Sequence, residues 1–331
     1  MTRSSKVFGP KLLMIGLLLW GLALVGGCGR SDRHSEGNGP LKVVTLQLNW
    51  FPEHEHGGFY AAMLHGYYRE QGLDVRIVAG GPKVAVAHQL VTGRADFAIA
   101  GADEVLLARA QQAMLVAVLA PLETSPRCIM VHKSSGIESL DDLRGTIALK
   151  GGSPFVEFLE RNGYLDECQV VPFFGGIGRF VSDKNFSQQA YSFSEPLLAR
   201  RQKSDPHVLM LSDKGFNPYA GMLVTLSSTL EKDPDMVRKF TRASLQGWRK
   251  YLAEPESTNI HLAKINDSLD ADLLAEGVEA LRELCRDPDS PALGEMDLGR
   301  WQALGDQLEQ LGLIGSEQVD PVSAFSNDYL R

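Results

Sequence analysis

Residues 43–120 read VVTLQLNWFPEHEHGGFYAAMLHGYYREQGLDVRIVAGGPKVAVAHQLVTGRADFAIAGADEVLLARAQQAMLVAVLA, and their hydrophobic rhythm decides the fold class. Val43 to Asn49 reads as a short strand, followed by the loop WFPEHEH. From Gly57 to Gln71 the apolar residues fall at helical spacing, until Gly72 supplies a stop. The same grammar then repeats. A strand (Asp74 to Val78) meets the turn Gly80-Gly81-Pro82, and a helix (Lys83 to Thr92) is closed by Gly93. A strand (Ala95 to Ala100), a helix (Asp103 to Gln111) and an apolar strand (Met114 to Ala120) complete the stretch. Strands alternating with helices make βαβ units, which predicts a largely parallel sheet with helices on both faces.

Downstream, a second α/β series begins near Cys128. It has strands at Cys128 to His132 and Thr146 to Leu149, then Gly151-Gly152-Ser153-Pro154, where Ser153 reads as an N-cap and Pro154 as the first helical residue. After the helix Phe155 to Arg161 come strands at Gln169 to Phe174 and Gln189 to Phe193, a helix from Glu195, and strands at Val208 to Leu211 and Ala220 to Leu226. From Pro234 onward the pattern is helical, with segments near 234–252, 258–267, 270–285 and 297–311. That last third is too poor in strands to stand alone, so it is expected to pack back on the first series. The expected organisation is two α/β lobes, residues 41–125 plus 220–331 and residues 126–219, with a ligand cleft between them. In open α/β sheets such a site lies beyond the carboxyl ends of the strands. This points to the loops after Asn49, Ala100, Leu149 and Phe193.

Upstream, Arg3, Lys6 and Lys11 precede an apolar run from Leu12 to Val25, about 14 residues long and short of the roughly 20 that span a bilayer. It ends in Val25-Gly26-Gly27-Cys28. The grammar is that of a signal peptide over residues 1–27, and its end resembles the lipobox of bacterial lipoproteins, which would make Cys28 a lipid attachment site. Residues 28–40 are polar and Gly-rich, a tether with too little apolar surface to fold. The expected product is exported and lipid-anchored to a membrane, facing the periplasm or the cell exterior.

The formal net charge of −8 and the lack of a basic stripe argue against a nucleic-acid partner. Cys128, Cys168 and Cys285 are odd in number, allow one disulfide at most, and are too widely spaced for a metal motif. The loop WFPEHEH concentrates aromatic, acidic and imidazole groups. Extended alternation would put His54 and His56 on one side and Glu53 and Glu55 on the other, and no later His-rich tract supplies further ligands. Neither a metal site nor a cofactor is expected, and His56 is assigned to hydrogen-bonding the ligand or the loop itself. Ser153 opens a helix whose N-terminus could receive an anion. Against an anion, Glu53, Asp103, Glu104 and Glu195 all fall at the expected cleft loops, with Lys150 and Arg179 as partial offsets.

The stretches LNWFPEHEHGGFYAAMLHGYYREQGLDVRIV and GRADFAIAGADEVLLARAQ, with QQAYSFSEP, GFNPYAGMLVT and RASLQGW, resemble the NMT1/THI5-like family of thiamine-pyrimidine-precursor binding proteins, relatives of the alkanesulfonate and nitrate binders. The resemblance implies a type II periplasmic-binding-protein fold and a solute-binding role beside the permease and ATPase of an ABC importer. It also implies a small heteroaromatic ligand, sandwiched by aromatic residues at the places of Trp50 and Tyr60, with its amino group on Glu195. Two flat faces suit such a ring, and a carboxylate can accept from an exocyclic amine. Trp50 and Tyr60 could instead be core residues, and Glu195 a favourable acid at a helix N-terminus. The expected ligand-binding set is Trp50, Glu53, His56, Tyr60, Asp103, Ser153, Tyr191 and Glu195. A sulfonate, nitrate or riboflavin-like solute is the alternative. Catalysis of the THI5 pyrimidine-synthase type is disfavoured, because that branch's Schiff-base lysine and donor histidine fall at Ala100 and Glu104.

Overall fold

The computed structural model describes residues 40–331, so the expected signal peptide, Cys28 and nearly all of the expected tether lie outside the described residues. In chain order the elements are β1 (Lys42–Gln47), α1 (Gly57–Leu64), α2 (Tyr67–Glu70), β2 (Leu73–Val78), α3 (Val86–Val91), β3 (Phe97–Ala100), α4 (Ala102–Ala110) and β4 (Leu115–Leu119). Then follow β5 (Arg127–His132), β6 (Gly145–Leu149), α5 (Pro154–Arg161), β7 (Cys168–Pro172), α6 (Gly178–Ser182), β8 (Phe186–Tyr191), α7 (Glu195–Arg201) and β9 (Pro206–Met210). The chain closes with β10 (Met222–Leu226), α8 (Ser227–Lys232), α9 (Pro234–Ala253), α10 (Glu256–Ile265), α11 (Ala271–Arg282) and α12 (Leu298–Gln310). Among the described residues, no helix is long and apolar enough to cross a membrane.

The strands form two five-stranded sheets, ordered β2-β1-β3-β10-β4 and β7-β6-β8-β5-β9. The expectation of largely parallel sheets needs correction. In the first sheet β10 runs antiparallel to both β3 and β4, and in the second β5 runs antiparallel to both β8 and β9. Each inserted strand carries the chain into its sheet from the other one, so it enters against the direction of the strands already there. A hydrophobic run has no direction, and the sequence pattern could not reveal this. The two crossing segments are stitched together: Asn217 Oδ1 accepts from the Ser125 amide at 2.8 Å. From α12, the Arg300 guanidinium donates to the Asn217 carbonyl at 2.7 Å and stacks over the Tyr219 ring.

Two further differences bear on the site. The helix expected over 57–71 is broken at Gly66, whose positive φ of 81° ends α1 and restarts the chain as α2. The strand expected at 189–193 is β8, three residues earlier, because Ser187 and Gln188 are polar yet buried in the middle of the second sheet. All three described cysteines are free thiols.

Helix α1 is buried along nearly its whole length, since α9 crosses it closely. The crossing depends on glycine: a Cβ on Gly58 would enter the Trp248 ring, and one on Gly247 would meet the Gly58 carbonyl. Trp248, Phe240, Tyr251 and Phe59 fill the space between α9, α1 and the first sheet, all essentially unexposed. Burying a large apolar side chain contributes about 2–3 kcal/mol, so this crossing fixes the start of α1 and the loop that precedes it.

Candidate functional site

That loop is the centre of the site. Residues 54–56 form a single 3-10 turn, and His54, Glu55 and His56 are each at most 1% exposed. The backbone is therefore not extended here, because the chain must turn sharply from β1 into α1, although Glu53 and Glu55 still share one side, that of the cavity described below. His54 docks against α11 and lies near Phe193, with its Nε2 at 3.3 Å from the Leu273 carbonyl. His56 is held between two partners. The Glu53 amide donates to its Nδ1 at 3.3 Å, which places the proton on Nε2, and Nε2 donates to Asn49 Oδ1 at 2.8 Å. The Asn49 amide then donates to Glu55 Oε1 at 3.0 Å. Burial pulls the pKa of His54 down to about 4 and that of His56 to about 3, so both rings are neutral near pH 7. Both His56 nitrogens are engaged within the loop and His54 Nε2 by α11, while His54 Nδ1 is buried without a partner, and among the described residues no cluster of His, Cys, Asp and Glu could hold a metal ion.

A cavity of about 150 Å³ lies between the two sheets. From the first-sheet side it is lined by Asn49, Trp50, Glu53, Glu55 and Glu104, with the 81–86 segment after β2. From the second it is lined by Arg127, Lys150, Phe173, Gln189, Tyr191 and Glu195. Each of the four loops that the strand-end argument singled out contributes to it.

Of the eight residues expected at the site, Trp50, Glu53, Tyr191 and Glu195 line this cavity. The other four do not. His56 stands behind it as a support, Tyr60 is core beside His261 and α9, and Asp103 is buried at the start of α4. Ser153 caps α5 without a side-chain hydrogen bond and lies off the lining. Tyr60 could not be told from Trp50 in sequence, since an aromatic one turn into a helix faces either core or cleft. Glu195 lines the cavity and also stands at the start of α7, where its carboxylate accepts from the Tyr191 amide at 2.8 Å.

Sequence reasoning missed Asn49, Glu55, Phe173, Gln189 and, above all, Arg127. Arg127 directly precedes an apolar strand, where a cation normally marks a solvated strand end. Here it is turned inward, with its guanidinium 4.6 Å from the Phe155 ring centroid and 5.5 Å from that of Tyr191. The electrostatics are crowded. Burial, then Glu55 and Glu195, push the Glu53 carboxyl well above its ordinary pKa, against the hydrogen bond from Ser194. Burial is also the main reason that Glu55 is pushed up to about 7 and that Glu104 and Glu195 are raised.

The family model described as NMT1/THI5 like matches residues 53–258, more than half of the chain and including much of this lining. The chain belongs to the NMT1/THI5-like family. It is 28% identical over 308 residues to a riboflavin-binding protein, RibY, of Chloroflexus aurantiacus, covering 88% of this chain and 86% of that protein. It is 24% identical to a formylaminopyrimidine-binding protein of Halalkalibacterium halodurans, over 79% of this chain and 83% of that one. Among solved structures, it is similar to the periplasmic aliphatic sulphonate binding protein SsuA of Escherichia coli, with a TM-score of 0.65 and 17% identity over 86% of this chain and 91% of that one. That likeness establishes the type II periplasmic-binding-protein fold. Within the NMT1/THI5-like fold, the cavity occupies the interval between the sheets.

Proposed function

We propose that the protein is the exported, lipid-anchored solute-binding component of an ABC importer, and that its solute is a small flat heteroaromatic molecule, with a thiamine pyrimidine precursor as first candidate. In this reading residues 41–125 plus 220–331 form one lobe, residues 126–219 the other, and the lobes close on the ligand. The carrying observation is the cavity between the sheets, to whose lining Trp50, Phe173 and Tyr191 bring aromatic rings and Glu53, Glu55 and Glu195 bring carboxyl groups. Its volume of about 150 Å³ is that of a space that takes up benzene, which suits a single six-membered ring.

Membership of a family that includes pyrimidine synthases leaves catalysis as the rival class. At the two positions that the resemblance assigns to synthase chemistry this chain has Ala100, buried at the end of β3, and Glu104 in the cavity lining. An imine needs an amine, so binding is the better reading. A riboflavin-like ligand is the second reading, favoured by the similarity to RibY across most of the chain. Three fused rings would require the lobes to stand further apart than they do here.

Melting curves and native mass spectrometry with aminopyrimidines, riboflavin, nitrate and alkanesulfonates test these readings together. At a hundredfold excess over the dissociation constant, a ligand stabilises the fold by about 2.7 kcal/mol, a rise of roughly 5–10 °C for domains of this size. An aminopyrimidine is expected to give that rise. Riboflavin alone giving it would establish the second reading, and stabilisation by a sulfonate with no response to any ring would overturn both.

A further inference from the structure

Two groups in the cavity lining are left without partners, and they are of opposite kinds. Among the described residues no partner hydrogen-bonds the Arg127 guanidinium, and its Nε is buried and unpartnered. The Glu55 carboxyl is 1% exposed, and while its Oε1 accepts from Asn49, its Oε2 is buried and unpartnered. Both line the one cavity. Leaving a buried polar group unsatisfied is costly, more so when it is charged, so a ligand that satisfied both would gain on two counts.

Two neighbouring carboxyls of the lining have partners of their own. Glu195 is engaged by the Tyr191 amide, and Glu53 by the Ser194 hydroxyl at 2.9 Å. Burial opposes the Arg127 charge, and Tyr191, Asp103, Glu104 and Glu55 outweigh it, so the guanidinium stays ionised with only donors to offer. Its guanidinium carbon lies over the Phe155 and Tyr191 rings, and its N–H edge is what it has to offer a ligand. An amine-bearing ring with no acceptor oxygen would answer the carboxylates and leave this edge bare.

We propose that the ligand presents an amide-like edge, with a carbonyl or other acceptor oxygen received by Arg127 and a ring N–H or amino group received by Glu55. This rests on the heteroaromatic reading above and narrows it to oxo-substituted rings such as pyrimidinones and pyrimidinediones, free or fused into a larger system. A planar guanidinium fork recognises such an oxygen through its N–H donors.

Two pairs of probes, matched in ring size and differing in the oxo edge, provide the test by calorimetry: cytosine against 4-aminopyrimidine, and lumichrome against phenazine. In each pair that binds, the oxo member is expected to bind at least tenfold more tightly to the wild-type protein, and Arg127→Met is expected to bring that ratio close to one. Arg127→Lys, checked for folding by circular dichroism, should retain part of it. Equal affinity within a pair in the wild type overturns the proposal without any variant. So does an Arg127→Met protein that weakens both members equally, which would make Arg127 a charge balance for the carboxylates. If no member of either pair binds, the heteroaromatic reading itself falls, and this inference with it.

Discussion

Glu53 Oε2 accepts a hydrogen bond from Ser194 Oγ at 2.9 Å, joining the loop after β1 to the residue that precedes α7, 141 positions further along the chain. The bond spans the two sheets beside the cavity, between two residues that are each at most 8% exposed. A contact of this kind forms only when the lobes are together. If the lobes move by a hinge at 121–128 and 217–219, Ser194→Ala removes part of what holds the shut state. Small-angle scattering of the free variant is expected to give a larger radius of gyration than the free wild type, with the two converging at saturating ligand. Identical radii in all four samples would count against hinge closure.

The raised Glu55 carboxyl makes stability depend on pH. Burial is the main cause that pushes its pKa up to about 7 in the folded protein from an ordinary 4.5. The folded state therefore holds the proton more tightly, so this contribution is present in full below about pH 4.5 and is lost as pH rises through about 7. His54 and His56 act oppositely, since their lowered values cost stability as pH falls from 6.5 towards 4 and 3. Comparing Glu55→Gln with wild type isolates the carboxyl. The variant is expected to gain on wild type by about 1–3 kcal/mol between pH 4.5 and 8 in urea denaturation. A difference that does not change with pH would refute the assignment.

Trp50 is the only described tryptophan that lines the cavity, because Trp248 and Trp301 are at most 1% exposed in the core. Ligand binding is therefore expected to quench emission through Trp50. Trp50→Ala should abolish that quench and weaken binding by about 1 kcal/mol or more, the worth of one aromatic face. Full quenching in the variant would remove Trp50 from the site.

Gly277 in α11 faces the His54 ring so closely that an added Cβ would overlap it. Gly277→Ala is expected to destabilise the fold by about 1–3 kcal/mol through overpacking, although alanine is the better helix former. Because His54 sits in the same turn as Glu55, ligand affinity should fall with it. A more stable variant with unchanged affinity would show that the loop can move aside.

Cys28→Ser is expected to release the protein from membranes, and intact-mass analysis of the wild type to show a lipid-modified Cys28 as the first residue. An unmodified Cys28 or cleavage elsewhere would end the anchor proposal.

The strand-end loops were legible from the sequence because hydrophobic periodicity fixes where strands stop. Glu55 was grouped with Glu53 yet left out of the expected binding set, since an extended reading of WFPEHEH hid a 3-10 turn that becomes necessary only once β1 and α1 are packed. Arg127 carried no local signal at all. Its apolar neighbours said strand, and nothing nearby said that Phe155 and Tyr191 would close around it.

By itself the sequence determined the α/β alternation, the helical final third, the family and the positions of the loops, because these depend on neighbours a few residues apart. Only the tertiary structure decided the antiparallel insertion of β5 and β10, the burial of His54 and His56, and the placing of Glu55 and Arg127 on one cavity. Those features come from residues tens to hundreds of positions apart, and their energies arise when two sheets exclude water from the same small volume.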